Sequence, residues 1–402
     1  MSDTGLSAAG LARMHDVLTR HVGRGRPPGL VALVSRGDDV HVEALGTMAV
    51  EGGTPMGRDT IFRIASLTKP VTAVAAMLLV EECRLRLDDP VDELLPELAH
   101  RRVLARIDAP LDDTVPARRS ITLRDLLTFR LGFGSVMAAP DTYPIQRAMR
   151  ELGIGGDGPP HPAKAAPADE WLRRLGSLPL MEQPGERWRY NTGADVLGLL
   201  VERASGRPFD AFLRERLFEP LGMRDTGFHV PAEQRHRLPP CYVPDPATGA
   251  LALYDGVADS EWGAPPAHAS GAGGLVSTID DFHAFYRMLL DHGRHGRERI
   301  LSRPSVELMT TDQLLPAERE GAEIFFGDNA SWGFGVAIVT RRTGLPRVGQ
   351  YGWTGGLGTL GFVDPAEGLI GLLFTQTLMT SPIAPPVFQD FTTTTYGAIE
   401  DA

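Results

Sequence analysis

Strand-forming runs lie at both ends of this chain and helix-forming runs lie between them, an arrangement that narrows the fold more than any other feature of the sequence. Near the start, GLVALVSRG and DDVHVEALGTMAV are rich in β-branched residues and joined by a Gly-Asp-Asp turn, the pattern of a hairpin. Towards the end, SWGFGVAIVT, LPRVGQYG, GTLGFVDP and LIGLLFTQT read as consecutive strands. Strands so far apart in sequence can each bury an apolar face by joining one sheet. The expected fold is therefore α+β: an antiparallel sheet built from both chain ends, flanked by terminal helices, with a helical lobe inserted between its halves. Leu6, Leu11, Met14, Val17 and Leu18 recur at helical spacing and predict the first helix, and a last helix is expected near Pro386. All 402 residues are expected to form one two-lobed domain, with a sheet lobe over roughly 1–62 and 273–402 and a helical lobe over roughly 63–272.

The middle of the chain opens with SLTKPVTAVAAMLLVEECRL, a long apolar helix. Pro70 is tolerable there only in the first turn, where its missing N–H would have had no partner. Shorter helices are predicted in DPVDELLPEL, ITLRDLLTFRLG, ADVLGLLVERASG and FDAFLRERLFEPLGM, and another in GGLVSTIDDFHAFYRMLLDHG. Proline-rich loops separate them, notably over 155–167.

Composition excludes several classes of function. The net charge of −11 comes from scattered acidic residues with no basic stripe, which argues against a nucleic-acid partner. No uninterrupted run of about 18 apolar residues is present, so no membrane span is predicted. The first residues, MSDTGLSAAGLARMHDVLTRHV, lack a basic start followed by an apolar run, and a cytoplasmic location is expected. Cys83 and Cys241 lie far apart and are read as free thiols. The eleven histidines show no metal-ligand spacing. Neither a metal nor a cofactor is expected. His236 and His268 fall in a region that could line a cleft, and are read as solvent-exposed.

The residues that point to chemistry lie in IASLTKP. Ser66 and Lys69, three apart at the start of a helix, share one face, so the amine can reach the hydroxyl and take its proton. A free serine is a weak nucleophile, and pairing with lysine is one recurring way to activate it. Ser-x-x-Lys arises readily by chance, and its setting carries the weight. It stands at a strand-to-helix junction, where free N–H groups at the helix start can hold the oxygen of a tetrahedral intermediate. Of the 40 basic residues only two, Lys69 and Lys164, are lysine. A lysine in such an arginine-rich background suits a position that needs an amine able to lose its proton. Lys164, in the loop-like PPHPAKAAPADE, is read as incidental.

From roughly Gly29 to Thr375 the sequence resembles the serine β-lactamase-like superfamily, which includes class C β-lactamases, D-alanyl-D-alanine carboxypeptidases, family VIII carboxylesterases and some acyltransferases. IFRIASLTKPVTAVAAMLL looks like the family's nucleophile helix. PGERWRYNTGADVLGLLVERASGRPFDAFLRERLFEPLGM and GAGGLVSTIDDFHAFYRMLL are further long matches. ITLRDLLTFRLGFG resembles a segment usually ending near His-Thr-Ser-Gly, here Phe129-Arg130-Leu131-Gly132. The resemblance implies that Tyr190 matches the tyrosine of the family's Tyr-x-Asn motif and shares the nucleophile's proton with Lys69. This chain is one residue short of the usual Tyr-Ser-Asn-x-Gly, so either Asn191 or Thr192 takes the asparagine's place. It also implies that Trp353-Thr354-Gly355-Gly356 is the third motif, normally on an edge strand, with the Gly356 N–H as second oxyanion donor beside Ser66.

β-Lactamases carry lysine where this chain has Trp353. Losing a charge-assisted hydrogen bond to a substrate carboxylate costs roughly 1.5–3 kcal/mol, which favours a neutral ester. The expected function is that of a serine hydrolase forming an acyl-enzyme on Ser66, a carboxylesterase acting on small neutral esters. β-Lactamase or D-amino-acid peptidase activity and acyl transfer are the enzymatic alternatives, and a non-catalytic ligand-binding protein is the alternative from another class. The expected partner is a small-molecule ester or amide; the oligomeric state is left open.

Overall fold

Residues 5–155 and 158–400 are described by a computed structural model of the chain. Both chain ends contribute to a seven-stranded antiparallel sheet. The early hairpin supplies β1 (Gly29–Arg36) and β2 (Asp39–Gly46). Later residues supply β3 (Ala330–Trp332), β4 (Ala337–Val339), β5 (Tyr351–Gly355), β6 (Thr359–Asp364) and β7 (Leu369–Thr375). The order across the sheet is β3-β4-β5-β6-β7-β1-β2. The two ends of the chain therefore meet at β7 and β1, where Leu372 lies opposite Leu33 and Phe374 opposite Val31.

Five helices position this sheet and the site: α1 (Ala8–Gly23), α2 (Thr68–Glu81), α3 (Thr192–Ser205), α4 (Ile279–Leu290) and α5 (Pro386–Tyr396). Every residue of β1 is buried, because both faces of the sheet are covered there. On the outer face, Leu30, Ala32 and Val34 join Met14 and Leu18 of α1 and Phe388 and Phe391 of α5. On the inner face, Val31 and Leu33 join Phe282, Phe285 and Met288 of α4 and the apolar side chains of α2. A strand covered on both sides reads as a continuous apolar run rather than an alternation. α2 is buried all round over residues 68–79, as expected of a core helix with no solvent face. Lys69 is the charged exception among them. No helix among the described residues is long and apolar enough to cross a membrane.

The structure departs from the expected elements where glycine and proline interrupt the pattern. SWGFGVAIVT is two strands, β3 and β4, divided at residues 333–336, where Gly335 holds a φ of 74°. LPRVGQYG is irregular until Tyr351 begins β5. DPVDELLPEL forms turns and one short 3-10 segment, Pro96–Leu98, because Pro90 and Pro96 each remove a backbone donor. α2 stops at Glu81, and Cys83 follows at a φ of 57°, outside the helical region. α4 begins only at Ile279, where the Thr278 side chain accepts from the Asp281 N–H as its N-cap.

Candidate active site

Ser66 is placed by three supports. Phe62–Arg63 pairs with Val276–Ser277 as a short two-stranded bridge, and the Ile64 N–H continues it to the Leu275 carbonyl at 3.0 Å. Ala65 then turns the chain at a φ of 46°, a left-handed conformation unusual for a residue with a Cβ and typical of backbone held by its surroundings at functional sites. A 3-10 turn, Ala65–Leu67, leads into α2; residues three apart in such a turn eclipse one another. The Thr359 hydroxyl ties the β5–β6 hairpin to this turn by donating to the Ile64 carbonyl at 3.0 Å. The approach is so close that a Cβ on Gly355 would lie 2.2 Å from that carbonyl oxygen.

Lys69 is buried beneath the serine. Its Nζ lies 2.9 Å from Ser66 Oγ, 2.9 Å from Asn191 Oδ1 and 2.6 Å from the Ala272 carbonyl oxygen. Burial lowers the amine from 10.5 to about 7, partly opposed by the charge of Asp195. Asp195 lies in the first turn of α3, which Asn191 immediately precedes as its cap residue. Its Oδ1 accepts from the Ser270 hydroxyl at 2.6 Å and the Ala272 N–H at 3.2 Å, so the same carboxylate pins the peptide segment whose carbonyl holds Lys69.

Tyr190 donates its hydroxyl to Ser66 Oγ at 2.7 Å and accepts from the Trp353 indole N–H at 2.9 Å. Burial raises the phenol to about 12, with the bonds from Ser66 and Trp353 opposing the shift. The departed His-Thr-Ser-Gly segment supports this residue. The Arg189 N–H donates to the Phe129 carbonyl at 2.8 Å, and the Ser135 N–H to the Tyr190 carbonyl at 2.9 Å. Phe129 packs its ring 6.2 Å from that of Tyr190. Arg130 forms a half-buried ion pair with Glu318, in a segment that sequence reasoning left unassigned. That segment also carries Phe325, whose ring lies 4.9 Å from Tyr190 and 6.3 Å from Trp353. Phe325 is partly buried, packs on both rings and lines the same cavity as Ser66, and no motif marked it.

Of the two residues left open after Tyr190, it is Asn191 that touches Lys69. It does so from a φ of 82°, which compensates for the missing residue by turning the side chain back over the amine. Thr192 is buried at the first position of α3 and directs its N–H to the Tyr190 carbonyl at 3.2 Å.

The Trp353–Gly356 segment is not on an edge strand as expected, since β5 lies between β4 and β6. However, β4 pairs only with Tyr351 and Gly352. From Trp353 onward the strand's other edge is open to the cavity, so the segment behaves as an edge where it faces Ser66. Trp353 turns inward, Thr354 outward, and Gly356 sits exposed in the hairpin turn with open space at its Cα. Ser66, Tyr190, Asn191, Trp353, Thr354 and Gly356 all line one cavity of 1160 Å³.

His268 and Lys164 depart from expectation. His268 is buried on the cavity wall with its ring 5.2 Å from Trp171. Lys164, set aside on sequence grounds, lines the same cavity, 3.8 Å from Glu261. Lys164 thus borders the cavity directly, whereas Lys69 is buried behind Ser66. His236 is exposed, and its ring bonds the Glu233 carbonyl at 2.9 Å.

The fold and this buried serine–amine–phenol cluster are those of a β-lactamase-type serine hydrolase. The chain belongs to the β-lactamase family: the pattern of the family described as Beta-lactamase matches residues 14–385. It is 34% identical over 397 residues to "Esterase EstB" of Burkholderia gladioli, covering 92% of each chain. It is 38% identical over 347 residues to "Protein Rv1367c" of Mycobacterium tuberculosis, covering 84% of this chain and 82% of that one. Among solved structures it resembles "EstCE1, a hydrolase with promiscuous acyltransferase activity", with a TM-score of 0.82 and 26% identity over 97% of this chain and 99% of that one.

Proposed function

We propose that this protein is a carboxylesterase that acylates Ser66, with Lys69 as base and Tyr190 as proton donor to the leaving group. The observation that carries this reading is the set of partners around Lys69 Nζ. An uncharged amine has two N–H donors and one lone pair. The Asn191 and Ala272 carbonyl oxygens only accept, and they take both donors. The lone pair is left for Ser66, whose hydroxyl donates to it. Ser66 Oγ in turn accepts from Tyr190, which accepts from Trp353. Each proton therefore has one direction.

In this mechanism the Ser66 proton moves to Lys69 as Oγ bonds the ester carbon, and the N–H groups of Ser66 and Gly356 hold the carbonyl oxygen as it becomes negative. The carbon–oxygen bond to the alcohol breaks as the Tyr190 proton passes to the leaving oxygen, and Lys69 restores the phenol's proton. Water, or an acceptor alcohol, then attacks the acyl-enzyme by the reverse route. Trp353 in place of a cation favours neutral esters over the carboxylates of β-lactams. The names of EstB and EstCE1 support an esterase with acyl transfer as the second reading. The same proposal places the two-lobed chain in a reducing cytoplasm, which suits the free Cys83 and Cys241.

Incubation with a short-chain nitrophenyl ester and a chromogenic cephalosporin, followed by intact-mass analysis, tests it. Ester turnover with a trapped acyl group, absent in Ser66→Ala, is expected. Faster turnover of the cephalosporin would overturn the assignment to esters, and an unlabelled Ser66 would overturn the mechanism.

A further inference from the structure

The cavity does not end at the serine. At 1160 Å³ it exceeds the roughly 300–1,000 Å³ usual for small-molecule sites, and its wall passes around the open edge of β5 from one face of the sheet to the other. Trp353 and Gly361 line it on the inner face; Thr354, Leu360 and Phe362 line it on the outer face. Strand alternation and register dictate this split, because Trp353 pairs with Gly361 and Thr354 with Leu360. Met379, Ile383 and Ala384, from the segment after β7, wall the outer arm. The Met379 N–H donates to the Gly356 carbonyl at 2.8 Å, so the arm starts beside the second oxyanion glycine. Its named side chains are apolar or neutral. The charged side chains of the cavity, Asp195, Lys164 and Glu323, come from other segments.

The geometry at Ser66 decides which half of an ester enters this arm. Tyr190 and the indole that holds it lie on the inner face, so a leaving group that takes the phenol's proton stays there. With the carbonyl oxygen between the N–H groups of Ser66 and Gly356, the remaining substituent is the acyl chain, and its way out passes Gly356 and Thr354. We propose that the outer arm is the acyl-chain site, and that the substrates are esters of medium-length apolar acids, of hexanoyl to octanoyl size. This rests on the acyl-enzyme reading above and narrows its substrate class.

The test is kcat/KM for nitrophenyl acetate, butanoate, hexanoate and octanoate, with Ile383→Asp and Leu360→Asp beside the wild type. Ile383 is 64% exposed, so its substitution leaves folding intact if Leu360→Asp does not. Each fully buried methylene is worth about threefold to fourfold. With the chain partly covered, the wild-type ratio of octanoate to acetate is expected to reach about tenfold or more. A carboxylate in the arm is expected to bring that ratio to within about twofold of one. A wild-type ratio at or below one, with acetate still acylating Ser66, would overturn the acyl site and leave the esterase reading in place. An undiminished ratio in Ile383→Asp would do the same. Failure of every ester to acylate Ser66 would overturn both.

Discussion

The indole N–H of Trp353 donates to the phenol oxygen of Tyr190 at 2.9 Å, and this one contact decides which way the tyrosine hydroxyl points. With its oxygen occupied by a donor, Tyr190 directs its own proton to Ser66 Oγ. Trp353→Phe keeps the ring and removes the donor. An ordinary hydrogen bond is worth about 0.5–1.5 kcal/mol, so kcat is expected to fall roughly threefold to tenfold, with KM for a neutral ester changing less. Steady-state kinetics check this; a loss confined to KM would mean that the indole only shapes the cavity.

The acidic limb of the pH profile is expected to report Lys69. The amine acts as a base only when uncharged, and burial lowers it from 10.5 to about 7. For a neutral ester, kcat/KM should fall about tenfold per pH unit below 7 and stay level above it, since Tyr190 is raised to about 12. The shift also acts on stability. Between about pH 7 and 10.5 the unfolded chain binds a proton at Lys69 that the folded chain does not, so stability rises with pH across that window. Urea unfolding of the wild type against Lys69→Met at several pH values isolates the contribution.

Two substitutions at the N-terminal end of α3, one at its cap and one in its first turn, are expected to move that limb in opposite directions. Asp195 favours the charged amine, so Asp195→Asn should shift the limb to lower pH. Asn191→Asp places a carboxylate on the amine itself, 2.9 Å away in the native contact, and should shift it higher. A displacement of about one pH unit is a reasonable size for charges at this range in a partly screened interior. Shifts of the same sign would show that both variants act through general disruption.

Gly355→Ala tests the strap over the nucleophile turn. The added Cβ would lie 2.2 Å from both the Ile64 carbonyl oxygen and Thr359 Oγ1, and the former is backbone that cannot move without shifting Ala65 and Ser66. The hairpin must lift, breaking the Thr359–Ile64 bond and moving the Gly356 N–H, the proposed second oxyanion donor. Loss of one oxyanion donor costs about 100-fold to 1,000-fold in kcat. Retained thermal stability with activity lost to that extent would locate the damage in the site.

Much of the site was legible because its spacing is local. Ser66 and Lys69 stand three positions apart at the start of a helix-forming run, and Pro70 fixes where that helix begins. Tyr190 and Trp353 were legible only through resemblance, since nothing in their own neighbourhoods says that they touch. Phe325, the Ala272 carbonyl and Lys164 were not legible at all. Phe325 lies in a segment with no periodic pattern, a carbonyl has no sequence signature, and a surface-type loop gives no hint that it borders a cavity.

The sequence by itself determined the hairpin of β1 and β2, the sheet drawn from both chain ends, and the serine–lysine pair on one helix face, because alternation, helical period and proline position are properties of neighbouring residues. Tertiary structure alone decided that Asn191 rather than Thr192 meets the amine, that β5 is open beside Ser66, and that Lys69 titrates near neutrality. Those depend on how much water is removed and which acceptors converge from distant segments. Lys69 is enclosed by Tyr190 and Asn191 from one segment and the Ala272 carbonyl from another, and no single stretch of chain contains that enclosure.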